Sequence, residues 1–219
     1  IIPGPKTKPE VLAFFSTYAE QFLGKTTVIT KDTPAFIGNR IGIFSIMSLF
    51  HTVKQMGLTI EEVDKLSGPV IGRPKSATFR TVDLVGLDTL VHVANGIREN
   101  CPNDERIELF ELPDFIGTMM DNKWLGSKTG QGFYKKTKDS KGATEILSLD
   151  LNTLEYRAAQ KGKFATLEDT KSIDNVADRF KVLVNGKDKA GTFYRKTLAA
   201  LFGYAVSYTH LTLPTRDDV

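Results

Sequence analysis

Residues 31–50 read KDTPAFIGNRIGIFSIMSLF, a turn that runs on into an almost unbroken apolar stretch. Thr33 can cap a helix, and Pro34 suits its first position, where an amide N–H would have no partner anyway. The helix is expected to continue to about Gln55 and to stop at Gly57. Two polar residues, Asn39 and Arg40, stand in its second turn. A buried amide must satisfy its donors and acceptor or cost roughly 1–3 kcal/mol. No sequence neighbour offers Asn39 a partner, so another element or a ligand must. Both readings fit these residues, a structural amide or a ligand contact.

Downstream, TIEEVDKL (59–66) carries a capping box, with Thr59 followed three residues later by Glu62. GPVIGRPKSA is a Pro/Gly loop. Residues 76–98 read as one helical stretch with Leu84, Leu87, Leu90, Val91 and Ala94 on a shared face. Asp83 and Asp88 either bond across helix packing or cap a break at Gly86. ELPDFIGTMMDN is a short helix. GSKTGQGFY departs from a Walker loop, since Ser127 precedes Lys128 and no helix follows. It reads as a tight turn into a short strand, with Gly130 and Gly132 at positive φ. Lys128 is left as a candidate contact for an anionic ligand, and Trp124, Phe133 and Tyr134 as packing anchors.

Upstream, IIPGPKT, the apolar face of residues 9–23 and KTTVIT read as strand, helix, strand, the end of an α/β unit. The fold class is therefore mainly α, a helical domain preceded by the last strand–helix–strand of a truncated α/β domain. The expected divisions are residues 1–31 for that α/β end, 32–136 for the helical domain and 137–187 for a polar linker. Residues 188–205 start a second amphipathic helical unit, and 206–219 resemble translated adapter read-through, set outside the fold. The chain opens on two β-branched residues without a methionine, and is expected to be an internal piece of a longer protein.

Composition narrows the function classes. The 219 residues carry a net charge of +3 and 25% charged side chains. No basic stripe interleaved with aromatics points to nucleic acid. A single cysteine, Cys101, excludes an internal disulfide framework, and a reducing, cytoplasmic setting is expected. His51, His92 and His210 share no metal-ligand spacing, so no metal is expected. No membrane span is expected either, because Arg40 and His51 bracket the longest apolar run.

KDTPAFIGNRI, TIEEVDKL, DLVGLDTL and LGSKTGQGFYKK follow in order and in register. Together they resemble the C-terminal helical domain of 3-hydroxyacyl-CoA dehydrogenases, and IIPGPKT…TTVIT resembles the end of that family's NAD-binding Rossmann domain. The resemblance covers about residues 1–136. It implies NAD as cofactor, an acyl-CoA substrate, oxidation of 3-hydroxyacyl-CoA to 3-oxoacyl-CoA in fatty-acid β-oxidation, and a homodimer made through the helical domain. The family's active-site Asn falls on Asn39, and its cofactor-contacting Lys falls on Lys128. Ala35 stands where the family usually has glycine. The family's His–Glu base pair and its Gly-x-Gly-x-x-Gly loop are not in these 219 residues, so this chain by itself is expected to be inactive. The segments ILSLDLNTLEYRAAQKGKF and DKAGTFYRKTLAALFGYA resemble the linker and first helix of a second repeat in long bifunctional dehydrogenase/enoyl-CoA hydratase proteins. A non-catalytic helical interaction module is the alternative.

Overall fold

The computed structural model describes residues 1–138 and 142–212. Its elements run α1 (Pro9–Gln21), α2 (Phe36–Met56), α3 (Ile60–Leu66), α4 (Phe79–Val85), α5 (Leu87–Asn100), α6 (Asp114–Asp121), β1 (Tyr134–Lys138), β2 (Thr144–Leu149), β3 (Tyr156–Ala158), α7 (Ala165–Glu168), α8 (Val176–Asn185) and α9 (Lys189–Thr212).

Helix α2 is the axis. Phe44, Met47, Phe50 and Val53 on its inner face are buried. By length and composition its 21 residues could cross a membrane. Here it is a core helix, with α9 and α5 packed along it. It starts later than Thr33 and Pro34 suggest. Those two residues lie in a turn closed by the Phe36 N–H donating to the Thr33 carbonyl at 3.0 Å, and Ala35 is the N-cap. Ala35 and Phe36 have φ of 65° and 50°, a left-handed conformation that costs a residue with a Cβ roughly 1–2 kcal/mol. The stop at Gly57 and the Thr59–Glu62 capping box are both present.

Four phenylalanines knit the helices together. Phe133 lies 4.7 Å from Phe79 and 5.6 Å from Phe50, centroid to centroid, and Phe115 lies 5.7 Å from Phe50. All four are buried, and burying each such ring contributes about 2–3 kcal/mol.

The 76–98 stretch is two helices rather than one. The chain turns at Gly86, so the outer face of α4 swings away from the shared stripe. Leu84 is consequently 58% exposed, whereas Leu87, Leu90, Val91 and Ala94 are buried as expected.

Residues 137–187, read as a linker, complete the core instead. Strands β1, β2 and β3 form an antiparallel sheet in that order, with Tyr134 opposite Ser148 and Leu149 opposite Tyr156. Leu149, Phe164, Leu167 and Leu183 join the main apolar cluster. Polar composition masked this, because only a few apolar side chains turn inward. The helix begun at residue 188 also has a partner: Ala190, Phe193 and Tyr194 enter the same cluster, and Tyr204 packs on α2. Of the tail set outside the fold, residues up to Thr212 continue α9, and 213–219 lie outside the described residues.

At the other end, the expected strands form no sheet. The backbone of Ile1 bonds to Val28 and Thr30 at 2.6 and 2.9 Å, but one pair of extended segments has no further strand to extend it. Helix α1 buries no residue. Phe14, Tyr18 and Phe22 stack in succession along an exposed face.

Candidate functional site

Two small residues one turn apart open a cleft on α2. Gly38 and Gly42 lie at i and i+4 on one face, and no atom comes within 4 Å of where a Cβ would stand at either. The space beside them is a cleft of about 310 Å³. Its far wall is the α4–α5 elbow, with Thr81, Val82 and Val85 before the bend and Thr89 and Leu90 after it. Ile43 and Ile46 complete a mostly apolar lining. Asn39 is on this lining and exposed, so the amide faces the cleft and solvent rather than the core. Of its two readings, a buried structural amide is thereby removed.

Lys128 stands at the other end of the same elbow. Its Nζ donates to both carboxylate oxygens of Asp88, at 2.5 and 2.6 Å, in the first turn of α5. The bond from Lys128 holds the Asp88 carboxyl below the usual carboxylate range. The Lys128 side chain is 46% exposed. An ammonium has three donors, so with two engaged a third is left for a ligand. Asn39 and Lys128 do not touch. They border one short turn, because Thr89 lines the Asn39 cleft and its neighbour Asp88 holds Lys128.

A buried carboxylate, Asp83, and a half-buried one, Asp64, set the geometry of that turn. Asp83 accepts the Phe133 and Tyr134 amides at 2.8 and 2.9 Å, pinning the GFY closure to α4. Burial pushes its carboxyl up to about 6. Asp64 accepts the amides of Thr78, Phe79 and Arg80 at the start of α4, and the Tyr134 hydroxyl at 2.8 Å. Gly130 has the expected positive φ of 74°. Gly132 does not. It is glycine because the chain there is pressed against Asp83, where a Cβ would stand 2.8 Å from Cγ and nearer still to Oδ1.

Arg40, beside Asn39, points the opposite way into the core. Its Nε donates to the Tyr204 hydroxyl at 2.7 Å and a terminal nitrogen pairs with Asp104. The Tyr204 hydroxyl in turn donates to Asp104 at 2.8 Å. Burial opposes the guanidinium charge, but the bonds with Asp104 and Tyr204 hold its pKa above the ordinary arginine value. An ion pair therefore fixes Arg40 in the core. Its partners, 64 or more residues away in sequence, carry no local signal. Asp64 was likewise invisible, since an acid inside a short helix usually faces solvent.

The histidines stay apart. His51 Nε2 lies 3.1 Å from the Glu111 carbonyl oxygen and His92 is exposed on α5. Among the described residues no three metal-capable side chains cluster.

A core helix and a broken helix pair thus border an apolar cleft with an exposed amide on its lining, and the Lys128–Asp88 ion pair stands at the other end of the elbow. This is a mainly helical domain with an open apolar cleft. Residues 36–136 match the family model described as 3-hydroxyacyl-CoA dehydrogenase, C-terminal domain. A probable 3-hydroxyacyl-CoA dehydrogenase of Bacillus subtilis is 44% identical over 191 residues, 87% of this chain and 23% of the relative. One from Deinococcus radiodurans is 48% identical over 141 residues, 64% of this chain and 40% of the relative. The fatty acid oxidation complex subunit alpha of Psychrobacter sp. is 32% identical over 178 residues, 80% of this chain and 22% of the relative. The chain thus spans between about a fifth and two-fifths of the length of these relatives. Among solved structures, FadB2 of M. tuberculosis superimposes with a TM-score of 0.51 at 28% identity, covering 62% of this chain and 46% of that one. The 3-hydroxybutyryl-CoA dehydrogenase of Escherichia coli shares the fold, with a TM-score of 0.58 at 16% identity over 100% of this chain and 55% of that one. The 36–136 segment of the chain belongs to the 3-hydroxyacyl-CoA dehydrogenase C-terminal domain family.

Proposed function

We propose that this chain forms the helical, substrate-facing part of an NAD-dependent 3-hydroxyacyl-CoA dehydrogenase acting in fatty-acid β-oxidation. The observation that carries the reading is Asn39. The family's active-site amide falls on this residue, and it is exposed on an open apolar cleft instead of buried in a core helix.

In this reading the Asn39 side-chain N–H donates to the C3 oxygen of the substrate, or its amide oxygen accepts from the imidazole that takes the substrate's proton. As the hydroxyl loses its proton and C3 its hydride, charge grows on that oxygen. A fixed amide donor aimed there contributes most in the transition state. The aliphatic wall of Ile43, Val82 and Leu90 suits the carbon chain of an acyl thioester. NAD, when bound, supplies the hydride acceptor. Lys128 fits a contact with it, being half-exposed with an ammonium donor to spare. Asp88 keeps that ammonium aimed. The general base is not expected from the described side chains: His51 and His92 lie on helices without a carboxylate partner among the described residues.

The chain alone is therefore predicted to produce no NADH from 3-hydroxybutyryl-CoA and NAD. Grafted in place of the matched 191 residues of the B. subtilis relative, it should support turnover. A folded chimera without turnover would overturn the proposal. A second reading, a helical self-association module, is favoured by the exposed Phe36, Leu84 and Val85, at 46%, 58% and 58%. Sedimentation of the chain as a monomer at high concentration would remove it.

A further inference from the structure

We infer that a second cleft, of about 450 Å³, is a binding subsite for the diphosphate group of a coenzyme. Three cations line it from three separate elements. Lys75 comes from the Pro/Gly loop, Arg80 from the first turn of α4 and Lys136 from β1. All three are exposed, and among the described residues none makes an ion pair or hydrogen bond through its side chain. Elsewhere on the chain cations near carboxylates do pair, as Lys128 does with Asp88 and Arg157 with Glu61.

The cleft also contains a carboxylate, Asp64, yet it does not neutralise the cations. Three α4 amides and the Tyr134 hydroxyl already occupy it. Arg80 lies near enough to Asp83 to favour that carboxylate's charge, though without a bond. The lining charge of three cations against one carboxylate is net positive and open to solvent. Ser127 adds a hydroxyl donor from the turn that carries Lys128. Convergent cations with a hydroxyl donor recognise phosphoryl oxygens by charge-assisted hydrogen bonds. A single carboxylate ligand would leave most of these donors unused, whereas a diphosphate presents enough oxygens to engage all of them. Both coenzymes of the proposed reaction, coenzyme A and NAD, carry a diphosphate. The identity of the carrier rests on the dehydrogenase reading, while the anion site itself does not.

Isothermal titration of the 219-residue chain with sodium pyrophosphate tests the site. Lys75→Gln, Arg80→Gln and Lys136→Gln are combined in one variant. Its control carries Lys6→Gln, Lys8→Gln and Lys25→Gln, exposed lysines outside the cleft, with the same change in net charge. Saturable binding that weakens about ten-fold or more in the cleft variant, and less than about two-fold in the control, is expected from the loss of three charge-assisted contacts. No saturable binding, or equal weakening in both variants, overturns the site. Displacement of pyrophosphate by coenzyme A or by NAD identifies the carrier. Binding that neither displaces overturns the coenzyme assignment while leaving the dehydrogenase reading to the chimera.

Discussion

Replacing Gly132 with alanine drives a methyl group into the most crowded point of the domain. The new Cβ would stand 2.6 Å from the Gly126 Cα and 2.8 Å from Asp83 Cγ, distances that carbon atoms do not tolerate. Either Asp83 or the turn must move, and both routes break the same bonds. Asp83 would lose the amides of Phe133 and Tyr134, each worth about 1.5–3 kcal/mol as a bond to a charged group. A shifted turn also lifts Phe133, 0% exposed, from its contacts with Phe50 and Phe79. The loss should come to about 4 kcal/mol, roughly a quarter or more of a typical domain's stability. Gly130→Ala is the internal control. There the φ is 74° but no atom lies within 4 Å of the added Cβ, so only the left-handed strain of about 1 kcal/mol applies. Urea unfolding followed by Trp124 fluorescence measures both, since Trp124 packs against Tyr156 of the sheet. Equal losses in the two variants, or a Gly132→Ala loss below about 1 kcal/mol, would refute the close-approach argument. A cycle with Asp83→Ala should be strongly non-additive, because one bond pair is counted in both.

Arg40→Met leaves the Asp104 side chain, 3% exposed, with the Arg106 amide and the Tyr204 hydroxyl but no countercharge, and should cost about 3–5 kcal/mol in the same unfolding assay. Arg40→Met with Asp104→Leu should recover most of it. Ala35→Gly relieves a φ of 65° at the start of α2 and should raise stability by about 0.5–1 kcal/mol despite the more flexible unfolded chain. Burial raises the Asp83 carboxyl from 3.8 to about 6, so the folded state binds this proton more tightly than the unfolded state. Its contribution is fully present below about 3.8 and is lost as pH rises through about 6. Glu61 and Asp150, held below the usual carboxylate range, act in the opposite sense. The Asp83 component is isolated as wild type minus Asp83→Asn, and that difference should grow by about 2 kcal/mol between pH 6 and pH 4. A flat difference would contradict the burial of an ionisable Asp83.

Local patterning made much of this fold readable. Thr59–Glu62, Gly57 and the buried stripe from Leu87 to Ala94 are decided by residues within a turn or two of each other, and all appear as read. The misreadings share one cause, tertiary contact overriding composition. Residues 137–187 look like a linker because lysines and acids outnumber the inward side chains Leu149, Phe164, Leu167 and Leu183. The start of α2 was displaced because Pro34 and Thr33 suit a helix start, yet the chain turns left-handed through Ala35 first. Gly132 was assigned to positive φ, when its real constraint is a carboxylate 49 residues earlier in the chain. For the site, Asn39 and Lys128 stood out through motif register. What sequence could not show is that Asn39 faces outward while Arg40 faces Asp104 and Tyr204, because helical phase relative to neighbours exists only after packing. Lys75, Arg80 and Lys136 converge for the same reason, brought from three elements by the fold.

The account stands most directly on Asn39. In the chimera carrying this chain in place of the matched B. subtilis segment, Asn39→Ala should lower kcat by about 10²–10³-fold, as expected for removing one preorganised donor. The KM for 3-hydroxybutyryl-CoA should change little, and stability should be unaltered because the side chain is exposed. An Asn39→Ala chimera that keeps its kcat, with unfolding unchanged, would contradict the assignment of this amide to the reacting oxygen.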